Sequence, residues 1–343
     1  MKKILFLGGS ITCGSGSTEY DKAWARVAYG RIAKPLFGDD VEMINASISG
    51  TGSRVAVFRL SEHVLPYHPD LVFVEFAVND NGASKKDYDQ VLTSMDYIVQ
   101  ALKAQNPNVA ITFVYTTISN EENASHVHHV VAEHYGIPEI DLRAPLVEKI
   151  HAGAQWTDYL NDTAHPNDNG HAFYGNLVAE AVLGDPARYL APVKDVPSIG
   201  TFKFTDPHVE YPSDAWEMNG FSIRPISDRC HNKRLPELVI HEAAVSDRIG
   251  DTVTVEFEGE NFGVYHQIGN FMGRFSVTID GEVRGEVEGN HRYGKGTDRN
   301  GECISRFYVR SLAPGKHTAT ITVIEPNPDS EGSDVCIAGI FIG

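Results

Sequence analysis

Ser10 stands behind two glycines, and His165 stands three residues after an aspartate, Asp162; together these side chains could carry nucleophilic attack on an ester. A serine hydroxyl is a poor nucleophile until a base takes its proton, and an imidazole serves as that base when a carboxylate fixes its tautomer. Two more segments supply what a charged intermediate needs. Asn45-Ala46-Ser47-Ile48-Ser49-Gly50 ends in a glycine whose N–H can face a substrate, and Ala77-Val78-Asn79-Asp80 offers a side-chain amide. The N–H groups of Ser10 and Gly50 and the amide of Asn79 then make an oxyanion hole, where preorganised donors are worth on the order of 3–4 kcal/mol each. This set calls for no metal and no organic cofactor.

Such residues act only if the fold gathers them. Apolar runs at Ile4-Leu7, Val41-Ile44, Leu71-Phe76 and Val109-Tyr115, with a weaker one at Glu139-Leu142, alternate with amphipathic stretches near 21–34, 53–64, 85–104, 124–135 and 169–182. That alternation predicts a doubly wound α/β domain with a parallel sheet. In such sheets ligands sit beyond the carboxyl ends of the strands. Each chemical segment falls there or just before the last helix. Pro186, Pro192, Pro197 and Gly200 then mark a linker or wrapping segment over 186–218. From 219 to 343 the runs Phe221-Arg224, Glu237-Ile240, Thr252-Phe257, Arg274-Ile279, Ile304-Val309, Thr318-Ile324 and Val335-Ile342 predict an all-β sandwich, with turns at Asp280-Gly281 and Pro314-Gly315.

A chain of 343 residues suits two cores better than one. Its formal charge of -17 repels nucleic acid and anionic membranes, so neither is expected as a partner. Cys13, Cys230, Cys303 and Cys336 form no CxxC pair, which predicts reduced thiols. The apolar run after Met1-Lys2-Lys3 stops at Gly8, too short for a secretory segment, which predicts a cytoplasmic protein.

In order and in position, the four segments resemble those of the SGNH (GDSL-type) hydrolases over residues 3–183. The resemblance implies a flavodoxin-like three-layer fold, Ser10 as nucleophile, Gly50 and Asn79 as oxyanion donors, and His165 with Asp162 as the base and its partner. Gly9 departs from the aspartate that many members carry, and Ala77 from the usual glycine; both are read as subfamily marks. Thr12 removes the GxSxG elbow of the α/β-hydrolases. The C-terminal part resembles jelly-roll carbohydrate-binding modules, through Phe275-Ser276-Val277-Thr278-Ile279-Asp280-Gly281 and Leu312-Ala313-Pro314-Gly315-Lys316-His317.

Other candidates have plainer explanations beside them. His126, His128, His129 and His134 invite a metal, but no HExxH pattern joins them, so a solvated helix face is expected. Asp80 reads as a turn and helix cap. Trp216, Phe262, Tyr265, Phe271 and Tyr293 are sandwich core by default; Phe262, Tyr265 and Phe271, in the glycine-rich loop expected over Gly259-Gly273, are the candidates for stacking on sugar. The reaction expected is ester hydrolysis through an acyl-serine, with O-acetylated oligosaccharide as substrate. A lysophospholipase or thioesterase and a sugar-binding protein with a vestigial site are the alternatives, and a homo-oligomer is left open.

Overall fold

The computed structural model describes residues 1–226, 240–291 and 301–343. Cys230, Tyr293 and most of the strand expected at 237–240 lie outside the described residues. The chain forms two compact units, Met1–Thr201 and Phe202–Gly343, so the division falls inside the segment read as a linker. Residues 193–199 stay with the first unit through Val193 N–H to Val109 O and Lys194 N–H to Tyr135 O, and through Asp96, which accepts from Ser198 and Ile199.

In the first unit β1 (Lys2–Gly8), β2 (Val41–Asn45), β3 (Leu71–Glu75), β4 (Ala110–Tyr115) and β5 (Glu139–Asp141) form a parallel sheet in the order β2-β1-β3-β4-β5. This is the flavodoxin-like order. The chain turns one way after β1 and the other way before β3, so the loops leaving these two neighbours diverge and open a crevice at their carboxyl ends.

Among the described residues, nine helices connect and cover the strands: α1 (Ser10–Cys13), α2 (Trp24–Phe37), α3 (Ser53–His63), α4 (Ala77–Ser84), α5 (Tyr88–Gln105), α6 (Ser125–Tyr135), α7 (Arg143–His151), α8 (Asp168–Gly184) and α9 (Pro186–Tyr189). β3 and β4 are buried along their whole length, as strands covered on both faces must be. On one face Phe6 stacks on Phe73 at 5.1 Å and meets Trp24 edge-on at 5.4 Å, in a core shared with α2 and α8. No described helix is long and apolar enough to cross a membrane.

The second unit pairs two antiparallel sheets. One holds β7 (Glu217–Asn219), β10 (Thr252–Glu258), β12 (Arg274–Ile279), β13 (Glu282–Glu288) and β15 (Lys316–Ile324); the other holds β6 (His208–Glu210), β8 (Ser222–Pro225), β9 (Glu242–Ser246), β11 (Phe262–Ile268), β14 (Glu302–Val309) and β16 (Val335–Ile342). Val253, Val255, Phe275, Val277, Ile321 and Val323 from the first share one core with Phe262, Val264, Ile337, Ile340 and Ile342 from the second. The Asp280-Gly281 hairpin has φ of 53° and 80°, which the tight turn between paired Ile279 and Glu282 requires. Cys13, Cys303 and Cys336 are buried thiols.

The glycine-rich stretch Gly259-Gly273 is the main correction. It contains β11, which lies between β14 and β16 and is buried at every residue. Phe262 has 0% of its surface exposed and Tyr265 3%, and Tyr265 packs on Phe341. Neither ring presents a face to a sugar. Phe271 is half-buried against the small core of Met272 and Cys336. Alternating neighbours on a fully covered strand leave no solvent face, and glycine content alone does not distinguish such a strand from a loop.

Candidate active site

β1 ends at Gly8, and the chain turns at Gly9 into α1, whose first residue is Ser10. At that position the Ser10 N–H has no acceptor within its own helix. α1 is anchored from below through Thr12. Its hydroxyl donates to the Glu75 carboxylate at 2.8 Å, and its carbonyl accepts from Asn45 Nδ2 at 3.0 Å. The loop carrying Gly50 is stitched to β1 by Ala46 N–H to Phe6 O and Ile48 N–H to Gly8 O. Gly50 itself has φ of 74°, a conformation that costs a side-chain-bearing residue.

His165 arrives from far along the chain. Its loop is closed by Asn161 N–H to His165 O and by Ser119 N–H to Thr163 O, and Asn161 Nδ2 donates to Gly16 O at 2.6 Å. His165 Nε2 lies 3.0 Å from Ser10 Oγ, and His165 Nδ1 lies 2.7 Å from Asp162 Oδ2. The other Asp162 oxygen accepts from the N–H groups of Ala164 and His165, each at 2.7 Å. Partial burial pushes the Asp162 carboxyl up, but hydrogen bonds from the His165 ring and from these two N–H groups outweigh it and hold it below the usual carboxylate range. Serine, imidazole and carboxylate thus form a continuous line able to move a proton off Ser10.

Asn79 lies in the first turn of α4, facing this line's glycine turn. Its Oδ1 is buried without a partner, turned toward Gly9; a Cβ built on Gly9 would stand 2.1 Å from it. The amide nitrogen is thereby directed away from Gly9. A side chain at position 9 would require Asn79 to move.

Three buried polar groups were not singled out as site residues in the sequence. His171, fully buried, accepts from Trp24 N–H at Nδ1 and donates to Ser15 O at Nε2, which ties α8 to α2 and to the turn after α1. Asp80 is not a cap of its own turn: it sits inside α4 and accepts from Ser53 N–H at the start of α3. Its other oxygen meets His128 Nε2 at 3.0 Å, and both side chains are 1% exposed. His128 therefore leaves the expected solvated face of α6, whereas His126 and His129 remain on it. A lone aspartate and a lone histidine give no sequence signal of pairing; only their shared proximity in the fold does.

Glu75, at the end of β3, is the third. Burial is the largest influence and pushes its pKa from the ordinary 4.5 up to about 7; the hydroxyls of Thr116 and Thr12 pull it down, and the charge of Asp80 adds to the rise. Between these two pH values the folded protein holds a proton that the unfolded chain has lost, so stability falls as the pH rises through that window. Replacing Glu75 with glutamine removes this slope. Urea unfolding of wild type and Glu75→Gln should show the variant gaining about 2 to 3 kcal/mol relative to wild type between pH 5 and 8; a constant difference would show that Glu75 does not titrate there.

A cleft of about 550 Å³ is lined by Glu121, Arg143, Ala144, Val147, Glu148 and His151. Glu121 holds φ of 66° and pairs with His151 at 2.8 Å.

With this geometry, residues 6–173 match the model of the GDSL-like lipase/acylhydrolase family. The N-terminal unit belongs to that family. The GDSL unit makes the protein a carboxylic ester hydrolase, and its relatives are consistent with the assignment. It is similar to an arylesterase of Vibrio mimicus, 23% identical over 186 residues, covering 53% of this chain and 88% of the relative. It is also similar to thioesterase 1/protease 1/lysophospholipase L1 of Escherichia coli K12, 24% identical over 183 residues, covering 52% and 81%. Over the whole length the fold is similar to that of a two-domain esterase active on acetylated mannans, with a TM-score of 0.82 at 21% identity, covering 99% of this chain and 90% of the other.

Proposed function

We propose that the protein is a serine esterase that removes O-acetyl groups from oligosaccharides. The observation that carries the mechanism is the hydrogen-bonded line from Ser10 Oγ through His165 to Asp162, at 3.0 and 2.7 Å. Ser10 Oγ attacks the acetyl carbonyl carbon while its proton passes to His165 Nε2. Asp162 holds the imidazole in the tautomer that can accept this proton and stabilises the resulting cation. The oxygen that gains charge is met by the N–H groups of Ser10 and Gly50 and by the Asn79 amide. Collapse of the intermediate expels the sugar oxygen, which takes the proton from His165, and leaves acetyl-Ser10. Water then attacks with its proton passing to His165, and acetate leaves as that proton returns to Ser10.

Two features support an acetylated sugar as substrate. The net charge of -17 disfavours an anionic lipid interface. The two-unit fold is similar to that of a two-domain esterase active on acetylated mannans, a fold-level analogy. The name of the Escherichia coli relative favours a second reading, hydrolysis of lipid or thioester acyl groups. A p-nitrophenyl ester series beside acetate release from acetylated manno- and xylo-oligosaccharides separates the two. Acetyl should exceed octanoyl by at least about tenfold in kcat/KM, since a small acyl site excludes added methylenes. Faster cleavage of the octanoate would transfer the assignment to the lipid or thioester class, and sugar binding with no acetate released would leave a vestigial site.

A further inference from the structure

The oxyanion donors Gly50, in the loop after β2, and Asn79, in α4, are joined through one buried carboxylate. α3 begins with a cap residue, Gly52, that has no side chain to satisfy the first helix N–H groups. Asp80 supplies the missing acceptor from another helix, taking Ser53 N–H at 3.0 Å. Gly52 permits this approach, because a Cβ there would stand 2.2 Å from Asp80 Oδ1. Gly52 is two residues beyond Gly50, and Asp80 is the neighbour of Asn79 within α4. The position of Ser53 relative to Asp80 therefore sets the position of one donor relative to the other.

A carboxylate oxygen buried without a partner would draw Asp80 toward another donor. His128 prevents this by meeting the second oxygen at 3.0 Å. The imidazole is fixed in turn by the rings of Phe113 and Tyr115, with centroids at 6.2 and 6.1 Å, and α6 is tied to α4 by Ala124 N–H to Ala77 O at 2.8 Å. Glu75 is the other charged group acting on Asp80, and its raised pKa reduces the negative charge beside it.

We propose that Asp80 and His128 are a positioning pair that sets the spacing of the oxyanion donors Gly50 and Asn79. The proposal rests on the acyl-transfer reading above. Buried as they are, neither side chain reaches substrate. Donors aimed at charge that develops only in the transition state act on kcat when displaced and leave KM nearly unchanged.

The test is steady-state hydrolysis of p-nitrophenyl acetate by the full chain, with thermal unfolding of each variant confirming that it is folded at the assay temperature. In His128→Gln the terminal nitrogen can reach the place of Nε2, whereas in His128→Asn it falls one methylene short; His128→Phe keeps the volume and removes the donor. The Gln variant should stay within about threefold of wild-type kcat, and the Asn and Phe variants should lose about 10- to 100-fold, with KM within about twofold. In an Asn79→Ala background, His128→Phe should cost no more than about a further threefold, because the pair acts through a donor already lost. If His128→Phe does not fold, the Gln and Asn variants carry the comparison. Equal kcat in those two, or losses that multiply fully in the double variant, would overturn the positioning role. If instead Asn79→Ala or Ser10→Ala keeps wild-type kcat, the acyl-transfer reading has failed, which is a separate result.

Discussion

Ser10→Ala should lower kcat for p-nitrophenyl acetate by about 10⁵- to 10⁶-fold, the scale on which serine hydrolases lose activity with their nucleophile. His165 then has no hydroxyl to deprotonate, and no acyl-enzyme can form. The oxyanion donors are untouched, so a residual rate above that of water remains. Stability should hardly change, because Ser10 is half-buried and its hydroxyl is bonded to the His165 ring at 3.0 Å rather than to the core. A second readout is covalent: a fluorophosphonate should add its mass to wild type at Ser10 and not to the variant. Labelling of both at another residue, with activity retained, would move the nucleophile elsewhere.

Asp162→Asn should lower kcat by about 10³- to 10⁴-fold with the fold intact, through the tautomer of His165 rather than through lost charge alone. One oxygen of Asp162 accepts from two backbone N–H groups, those of Ala164 and His165. In the variant the amide oxygen must stay there, because an NH₂ group facing two donors is repelled. The NH₂ group then points at His165 Nδ1 and requires that nitrogen to accept. The imidazole proton is thus placed on Nε2, facing Ser10, where a base is needed. Pre-steady-state measurement should find the acetylation burst slowed in proportion. A loss of only a few-fold would mean that the exposed loop lets the substituted amide rotate, and that Asp162 acts mainly as a charge.

The two substitutions differ in what they ask of the fold. The first removes an atom that the sequence already identified, next to glycines at a strand end. The second depends on how both oxygens of one carboxylate are committed, which appears only in the folded loop.

Much of the first unit was legible from residue order. Short apolar runs that must be covered on both faces predict parallel strands, and all five were expected within a residue or two of where they stand. Ser10, Gly50 and Asn79 follow strand ends, where a doubly wound sheet leaves side chains free of packing, while Asp162 and His165 precede α8. Helices α1, α4, α7 and α9 were not anticipated. Three of them are too short or too polar to show a periodic face, and α4 carries the site segment Ala77-Val78-Asn79-Asp80 that reads as a turn.

In the sandwich β10, β12 and β15, whose burial alternates, were legible, as were β8, β14 and β16; β6, β7, β9 and β13 were not anticipated, and β11, which is polar and glycine-containing although buried at every residue, was read as a loop. Phe262 and Tyr265 followed that error into a sugar-binding role that their burial removes.

By itself the sequence determined the fold class of both units and pointed to the segments proposed to react, since these depend on residue type and local periodicity. Tertiary structure alone decided that Asp80 reaches α3 and His128, that Glu75 is buried beneath α1, and that the space beside Gly9 is occupied by Asn79. Each of these is a contact between residues dozens of positions apart, and a single sequence carries no physical signal for the distance between two polar groups until packing has removed the water between them.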